Sequence, residues 1–255
     1  MTRFENLVKK LDEREKIIGT TMSFMSSTLL VDAMDRPDID FLLFDAEHGI
    51  YNSEDLIPYL HICRIKGIPS IVRVPDAEYH LISRMIYLGA DGIMLPRTES
   101  FEQMDTAIGA MKFHPIGKMG SGGHAQYRNG ESFDEYQNGG RILFPQIESP
   151  EGIRILPELI DKYREFIGGI VIGPYDMSIM VGTPRNIRSD VMLASIQKVF
   201  DICNEKKMSC GIFCDDEERS AVYRSMGANI LWSGIDLNYF KRGYNETIDA
   251  IAKIK

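Results

Sequence analysis

The chain has 255 residues, is 44% hydrophobic, and carries 37 acidic against 29 basic side chains for a net charge of −8. Its length suits one (β/α)₈ barrel, which takes about 250 residues, better than two small domains. An acidic chain with no Lys/Arg block repels phosphate and excludes nucleic acid as a partner, and no apolar run approaches the ~20 residues of a membrane helix.

In chain order, Met1-Thr2-Arg3-Phe4-Glu5-Asn6 leads into a charged helix with no signal-peptide apolar region, so the protein reads as soluble and unexported. Apolar runs of β type follow at Ile17 to Ser23, Phe41 to Phe44, Ser70 to Val74, Gly92 to Leu95, Ile142 to Ile147, Gly169 to Ile172, Cys210 to Cys214 and Asn229 to Ser233. Between them lie helical stripes at i, i+4, i+7, such as Leu56, Leu60, Cys63 and Leu81, Met85, Leu88. Gly67-Ile68-Pro69, Gly89-Ala90-Asp91-Gly92, Gly168-Gly169 and Gly227-Ala228-Asn229 put glycine where a helix ends and a strand begins. This alternation predicts a parallel sheet. Eight units favour a closed (β/α)₈ barrel spanning residues 1–255, although a doubly wound sheet can be drawn from the same period. No G-x-G-x-x-G follows the first strand and no P-loop occurs, which removes the usual reason for the open sheet.

His114 to Gly140 breaks the rhythm with Gly117, Gly120, Gly122, Gly123, Gly130, Gly139 and Gly140. We read it as an active-site lid or subunit contact, with simple disorder as the alternative. Gly120-Ser121-Gly122-Gly123 suits an anion nest or a flexible hinge. Cys63, Cys203, Cys210 and Cys214 lack C-x-x-C spacing and fall in segments that read as buried, which places the chain in a reducing cytoplasm.

The most informative stretch is Phe41-Leu42-Leu43-Phe44-Asp45-Ala46-Glu47-His48-Gly49, a strand that delivers two carboxylates and an imidazole to its C-terminal end. Asp45 is expected to orient the His48 ring, with Glu47 between them. Arg73, Arg97, Glu148 and Asp176 likewise follow strands. Singly, each has an ordinary use as a snorkelling cation or a helix cap; jointly, they converge on one face. Two carboxylates without a Cys or His cluster suit a hard divalent ion, Mg²⁺ or Mn²⁺ with Co²⁺ a further candidate, held by Glu148 and Asp176. A glycosidase pair gives no task to Arg73 and His48, and no strand core from Phe41 onward offers a Schiff-base lysine. Such a metal would polarise a 2-oxo acid for retro-aldol cleavage, with Arg73 neutralising the enolate oxygen and His48 taking the hydroxyl proton.

Asp45-Ala46-Glu47-His48-Gly49, Val72-Arg73-Val74-Pro75, Leu88 to Pro96, Gln146-Ile147-Glu148-Ser149 and Ile172 to Ser178 together resemble the class II pyruvate aldolases of the HpcH/HpaI type, over most of the chain. The resemblance implies a (β/α)₈ barrel and a divalent metal on Glu148 and Asp176. It further implies catalysis by His48, Asp45 and Arg73, substrate contacts at Gln146, Glu47, Ser178 and the amides after Gly173, and a homo-oligomer, a hexamer with exchanged C-terminal helices. Its expected activity is cleavage of a 4-hydroxy-2-oxo acid to pyruvate and an aldehyde. Oxaloacetate decarboxylation or macrophomate-synthase-like enolate chemistry is the alternative, and a non-catalytic binding paralogue is disfavoured because the ligand and base positions are all filled. Met119 departs from the pattern, standing where such aldolases commonly show Arg, and is expected to alter the aldehyde end of the site.

Overall fold

Residues 1–121 and 140–254 are described by the computed structural model. Strands β1 (Ile17–Met22), β2 (Phe41–Asp45), β3 (Ser70–Arg73), β4 (Gly92–Leu95), β5 (Ile142–Ile147), β6 (Ile170–Ile172), β7 (Cys210–Cys214) and β8 (Ile230–Ile235) follow one another in chain order. Every neighbouring pair is parallel, and β8 returns to β1, so the sheet closes into a barrel rather than opening as a doubly wound sheet.

Closure buries both faces of each strand, which is why the strands read as unbroken apolar runs. Side chains pointing outward, such as Leu42, Phe44, Val72, Ile93 and Leu143, pack on the helices. Inward-pointing Phe41, Leu43, Ile71, Met94, Phe144 and Val171 fill the barrel. Phe4, Leu7 and Leu11 of the helix Arg3–Glu13 join this inner cluster and close the N-terminal end of the barrel. Large inner residues sit beside small ones. Phe41 stacks on Phe144 with ring centroids 5.9 Å apart and lies in register with Gly19, where a Cβ would fall 2.1 Å from the Phe41 ring.

Gly67, Gly89 and Gly227 end their helices with φ of 69°, 104° and 116°, a region that favours glycine. Gly168-Gly169 acts differently from the expected helix end: a one-turn helix Arg164–Phe166 comes first, and a Cβ on Gly169 would meet Ile230 Cδ1 at 2.6 Å. The glycine serves close strand packing. The buried face of the helix Tyr79–Leu88 is Ile82, Met85 and Ile86, while Leu81 and Leu88 are half-buried at its flanks. The i, i+4, i+7 stripe therefore lies one position away from the true contact line. All four cysteines are buried and free, and no described helix is long and apolar enough to cross a membrane.

Gly211 is a test of interior packing, since a Cβ there would lie 2.1 Å from the Ile230 carbonyl oxygen, a backbone atom fixed by the β7–β8 ladder. Gly211→Ala is expected to lower unfolding free energy by about 2 kcal/mol or more, measured by urea denaturation. An unchanged midpoint would show that the β7–β8 ladder can spread.

Candidate active site

β2 ends at Asp45 and β3 at Arg73, and the parallel register sets the two opposite each other, both facing inward. Arg73 grips Asp45 with two parallel bonds, Nε–H to Oδ1 at 2.9 Å and Nη2–H to Oδ2 at 2.7 Å. Both residues are buried, 8% and 3% exposed, so each depends on the other for its charge. Burial pushes Asp45 up, but the Arg73 bonds outweigh it and hold the carboxyl below its ordinary value. The Asp45 carboxylate also accepts the backbone N–H groups of Glu47 (3.1 Å) and His48 (3.2 Å), which curls the following residues back over the strand end. Gly49 allows that curl, because a Cβ there would sit 2.1 Å from the Asp45 carbonyl oxygen.

The His48 ring is not held by Asp45, contrary to the expectation from sequence: both Asp45 oxygens face Arg73, and only the His48 backbone reaches them. The ring's Nδ1 lies 3.3 Å from Arg73 Nη2 and 3.9 Å from Glu47 Oε2. A guanidinium only donates, so the neutral ring meets it with the Nδ1 lone pair and carries its proton on Nε2, an assignment made from the partner. The His48 side chain is half exposed, 53%. Glu47, with its side chain buried, lies between two guanidiniums, Arg73 Nη1 at 3.3 Å and Arg97 Nη1 at 3.4 Å. Burial outweighs these cations and raises its carboxyl.

Glu148 follows β5 and is almost fully buried. Gln146 Nε2–H donates to its Oε1 at 2.8 Å, and the Arg97 backbone N–H donates to its Oε2 at 2.9 Å. Arg97 makes that bond from a left-handed backbone, φ 44°, the kind of strain that concentrates at functional sites. Burial, helped by the nearby Asp176 and Glu47 charges, pushes Glu148 up to about 8. Gly173 keeps the space beside this carboxylate open, since a Cβ would fall 1.9 Å from Glu148 Oε1. Asp176 stands in the first turn of the helix Pro174–Met180.

A cavity of about 180 Å³ opens among these groups, lined by Asp45, His48, Arg73, Gln146, Gly173 and Asp176. Its lining also takes in residues that the sequence reading left out, Thr21, Phe24, Phe213, Trp232 and Ile235, together with Tyr175, and the Arg73 guanidinium lies over the Trp232 ring, 5.8 Å from its centroid. The signal was present in β7 and β8, where Phe213 and Trp232 hold inward positions near the strand ends, but apolar residues there read as core. Asp236 was also missed: its buried Oδ2 accepts the N–H groups of Ser23 (3.1 Å), Phe24 (3.1 Å) and Met25 (2.9 Å), fixing the loop after β1 that brings Phe24 to the cavity.

Three expected contacts with this cavity are not made, and Glu47, held between Arg73 and Arg97, is the first of them. Ser178 is fully buried and does not line the cavity; its hydroxyl donates to the Tyr175 carbonyl (2.6 Å) and accepts the Arg185 N–H (2.9 Å), so it braces a turn. Met119 is buried in the layer between barrel and helices, its Sδ 3.5 Å from Arg141 Nη1, and lines none of this cavity. The rest of the glycine-rich segment, with Gly122, Gly123, Gly130 and Gly139, lies outside the described residues.

Residues 22–242 match the family described as HpcH/HpaI aldolase/citrate lyase. A 5-keto-4-deoxy-D-glucarate aldolase from Salmonella paratyphi C is 26% identical over 253 residues, which is 98% of each chain. The solved structure of an HpcH/HpaI aldolase/citrate lyase family protein from Burkholderia cenocepacia superposes with a TM-score of 0.87 at 23% identity, covering 97% of this chain and 99% of the other. Macrophomate synthase gives 0.82 at 21%, covering 99% and 90%.

Asp45→Ala and Arg73→Leu each strand a buried charge and are expected to cost about 3–5 kcal/mol, while the paired change Asp45→Leu with Arg73→Met is expected to cost less than either alone. Urea unfolding reads all three. Because the folded Asp45 titrates below its unfolded value, its contribution is complete above the ordinary carboxylate range and is lost as pH falls through the folded value. Additive losses in the paired variant would show that the two residues act separately.

Proposed function

The chain belongs to the HpcH/HpaI aldolase/citrate lyase family, and on that footing we propose that it cleaves a 4-hydroxy-2-oxo acid reversibly to pyruvate and an aldehyde with the help of a divalent cation. The observation that carries the reading is the charge balance. Four carboxylates, Asp45, Glu47, Glu148 and Asp176, share the site with two guanidiniums, Arg73 and Arg97, which are taken up by Asp45 and Glu47. Glu148 and Asp176 are left facing each other's charge, with Glu148 buried and the neighbouring Gln146 Oε1 lacking a hydrogen-bond donor.

This donor set fits Mg²⁺ or Mn²⁺. Among the described residues no three His, Cys, Asp or Glu form a closed cage, and two carboxylates with positions left for water and substrate are the common way such ions are held beside a substrate. When bound, the ion would supply Lewis-acid polarisation of the 2-oxo group. Arg73 is held rigidly by Asp45 and presents positive charge to the oxo-acid end, where the electron pair of the breaking C3–C4 bond arrives as the pyruvate enolate. His48 takes the C4 hydroxyl proton with its Nδ1 lone pair, occupied in the structure only by the long Arg73 contact. Gln146 and the Gly173 backbone bound the same end of the cavity. Oxaloacetate decarboxylation is the second reading, because it uses the same oxo-acid contacts and has no hydroxyl proton for His48 to remove. The helix Asp236–Ala252 exposes Phe240, Tyr244, Ile248 and Ile251 along one stripe, which suits exchange with a second copy in a homo-oligomer, and four buried free thiols suit a reducing cytoplasm.

Chelation is expected to abolish pyruvate release from 4-hydroxy-2-oxo acids, with Mg²⁺, Mn²⁺ or Co²⁺ restoring it, and Glu148→Gln and Asp176→Asn are expected to weaken Mn²⁺ binding measured directly by electron paramagnetic resonance. Full turnover without metal, or a borohydride-trapped lysine adduct, would overturn this. His48→Ala is expected to slow aldol cleavage about 10²–10⁴-fold while affecting oxaloacetate decarboxylation far less. Equal losses in both reactions would remove His48 from the hydroxyl-proton role.

A further inference from the structure

Asp236 opens the helix Asp236–Ala252 and is buried, 4% exposed. An acid in the first turn of a helix has an ordinary use there, and its Oδ1 does accept the neighbouring Leu237 N–H at 2.7 Å. Its Oδ2 has a different task. It accepts three successive backbone N–H groups from the loop after β1, those of Ser23 (3.1 Å), Phe24 (3.1 Å) and Met25 (2.9 Å). Consecutive amides converging on one anion form a nest, and a charged acceptor makes each bond stronger than a neutral one.

The loop held in this way is docked on the one that carries His48. The Ser23 carbonyl accepts the Ile50 N–H at 2.8 Å, the Met25 carbonyl accepts the Tyr51 hydroxyl at 2.9 Å, and the Ser23 hydroxyl donates to Asp45 Oδ2 at 3.4 Å. The joint is close, since a Cβ on Gly49 would lie 2.9 Å from the Ser23 carbonyl oxygen. His48 therefore stands between two backbone anchors, its own N–H on the Asp45 carboxylate and the Ile50 N–H on Ser23. Arg73 fixes the first anchor through Asp45, and Asp236 fixes the second through Ser23. The His48 ring is half exposed and its contact with Arg73 Nη2 is long, 3.3 Å, so the backbone that bears the ring sets where Nδ1 lies.

We propose that Asp236 is a positioning residue for the reaction: by holding the backbone of residues 23–25 it fixes the loop 46–50 and places the His48 imidazole where it can take the substrate's hydroxyl proton. This rests on the aldolase reading, in which that proton leaves the C4 hydroxyl. The effect is selective. A proton acceptor misplaced by about 1 Å can cost on the order of a hundredfold in rate, whereas the two-bond clamp with Asp45 keeps Arg73 in place without Asp236.

Asp236→Asn keeps the shape of the side chain but removes its charge and sets an amide donor against the N–H groups of the loop. In the Mg²⁺-loaded enzyme it is expected to lower kcat for aldol cleavage at least about tenfold, and that for oxaloacetate decarboxylation by less than about threefold. Amide hydrogen exchange followed by mass spectrometry reads the coupling without reference to turnover: residues 23–25 and Ile50 are both expected to exchange at least about tenfold faster. Tyr51→Phe removes one tie between the loops and leaves Asp236 in place; it is expected to move both readouts in the same direction by less, and it carries the test if Asp236→Asn does not fold. Equal losses in the two reactions, faster exchange at residues 23–25 with Ile50 unchanged, or a Tyr51→Phe enzyme unmoved in both readouts would reduce Asp236 to a structural role and overturn the inference. Absence of cleavage by the unaltered enzyme would overturn the aldolase reading, and with it the task given to His48, while exchange at Ile50 still decides whether Asp236 holds the loop.

Discussion

Closing eight strands packs the barrel interior with side chains, and a polar group pointing inward is costly there without a partner. Asp45 and Arg73 meet this requirement on each other, at the level where the apolar filling of Phe41, Leu43 and Ile71 gives way to chemistry. The rest of the site hangs on that pair. Asp45 also accepts the Glu47 and His48 amides and the Ser23 hydroxyl and so shapes the loop that follows, while Arg73 reaches on to the His48 ring and the Glu47 carboxylate. A buried ion pair of this kind adds little net stability, but it leaves few ways for the surrounding groups to be arranged.

Beyond the pair, the site is built with an excess of negative charge. Arg97 serves it twice, with a backbone N–H on Glu148 and a guanidinium on Glu47, from a backbone conformation that a non-glycine residue adopts only under constraint. Burial raises the Glu148 carboxyl, and the Asp176 and Glu47 charges add to it, against the Arg97 N–H and the Arg73 charge. Gly173 keeps a side chain out of the space beside it. A carboxyl group in this condition keeps its proton to higher pH than an exposed one.

The same inward alternation on β7 and β8 brings Phe213 and Trp232 to the cavity, where the Arg73 guanidinium lies over the Trp232 ring. Thr21 and Asp215 take the polar tips of Trp232 and Tyr175, so two amphipathic residues behave as apolar ones. Asp236 does comparable work for the loop after β1 from the start of the helix Asp236–Ala252. These supporting contacts join segments more than two hundred residues apart in the chain, Ser23 to Asp236 and Thr21 to Trp232.

The barrel was legible in the sequence because burial on both faces forces unbroken apolar strands and because glycines at positive φ mark helix ends, as at Gly67, Gly89 and Gly227. The polar residues after those strands were legible as a group for the same reason, since a charge at the end of an apolar run stands out. Their pairing was not. A strand's alternation says that Asp45 points inward, but only the β2–β3 register says that Arg73 stands beside it and that His48 is left to Arg73. Ser178 and Met119 were expected at the substrate from their motifs and instead sit in packed positions off the cavity lining, because whether a side chain meets solvent or another helix depends on how the outer layer settles on the barrel. Phe213 and Trp232 were hidden in the opposite sense: a core ring and a cavity-lining ring have the same sequence signature, and only the three-dimensional closure of β7, β8 and β1 leaves open space on one side of them.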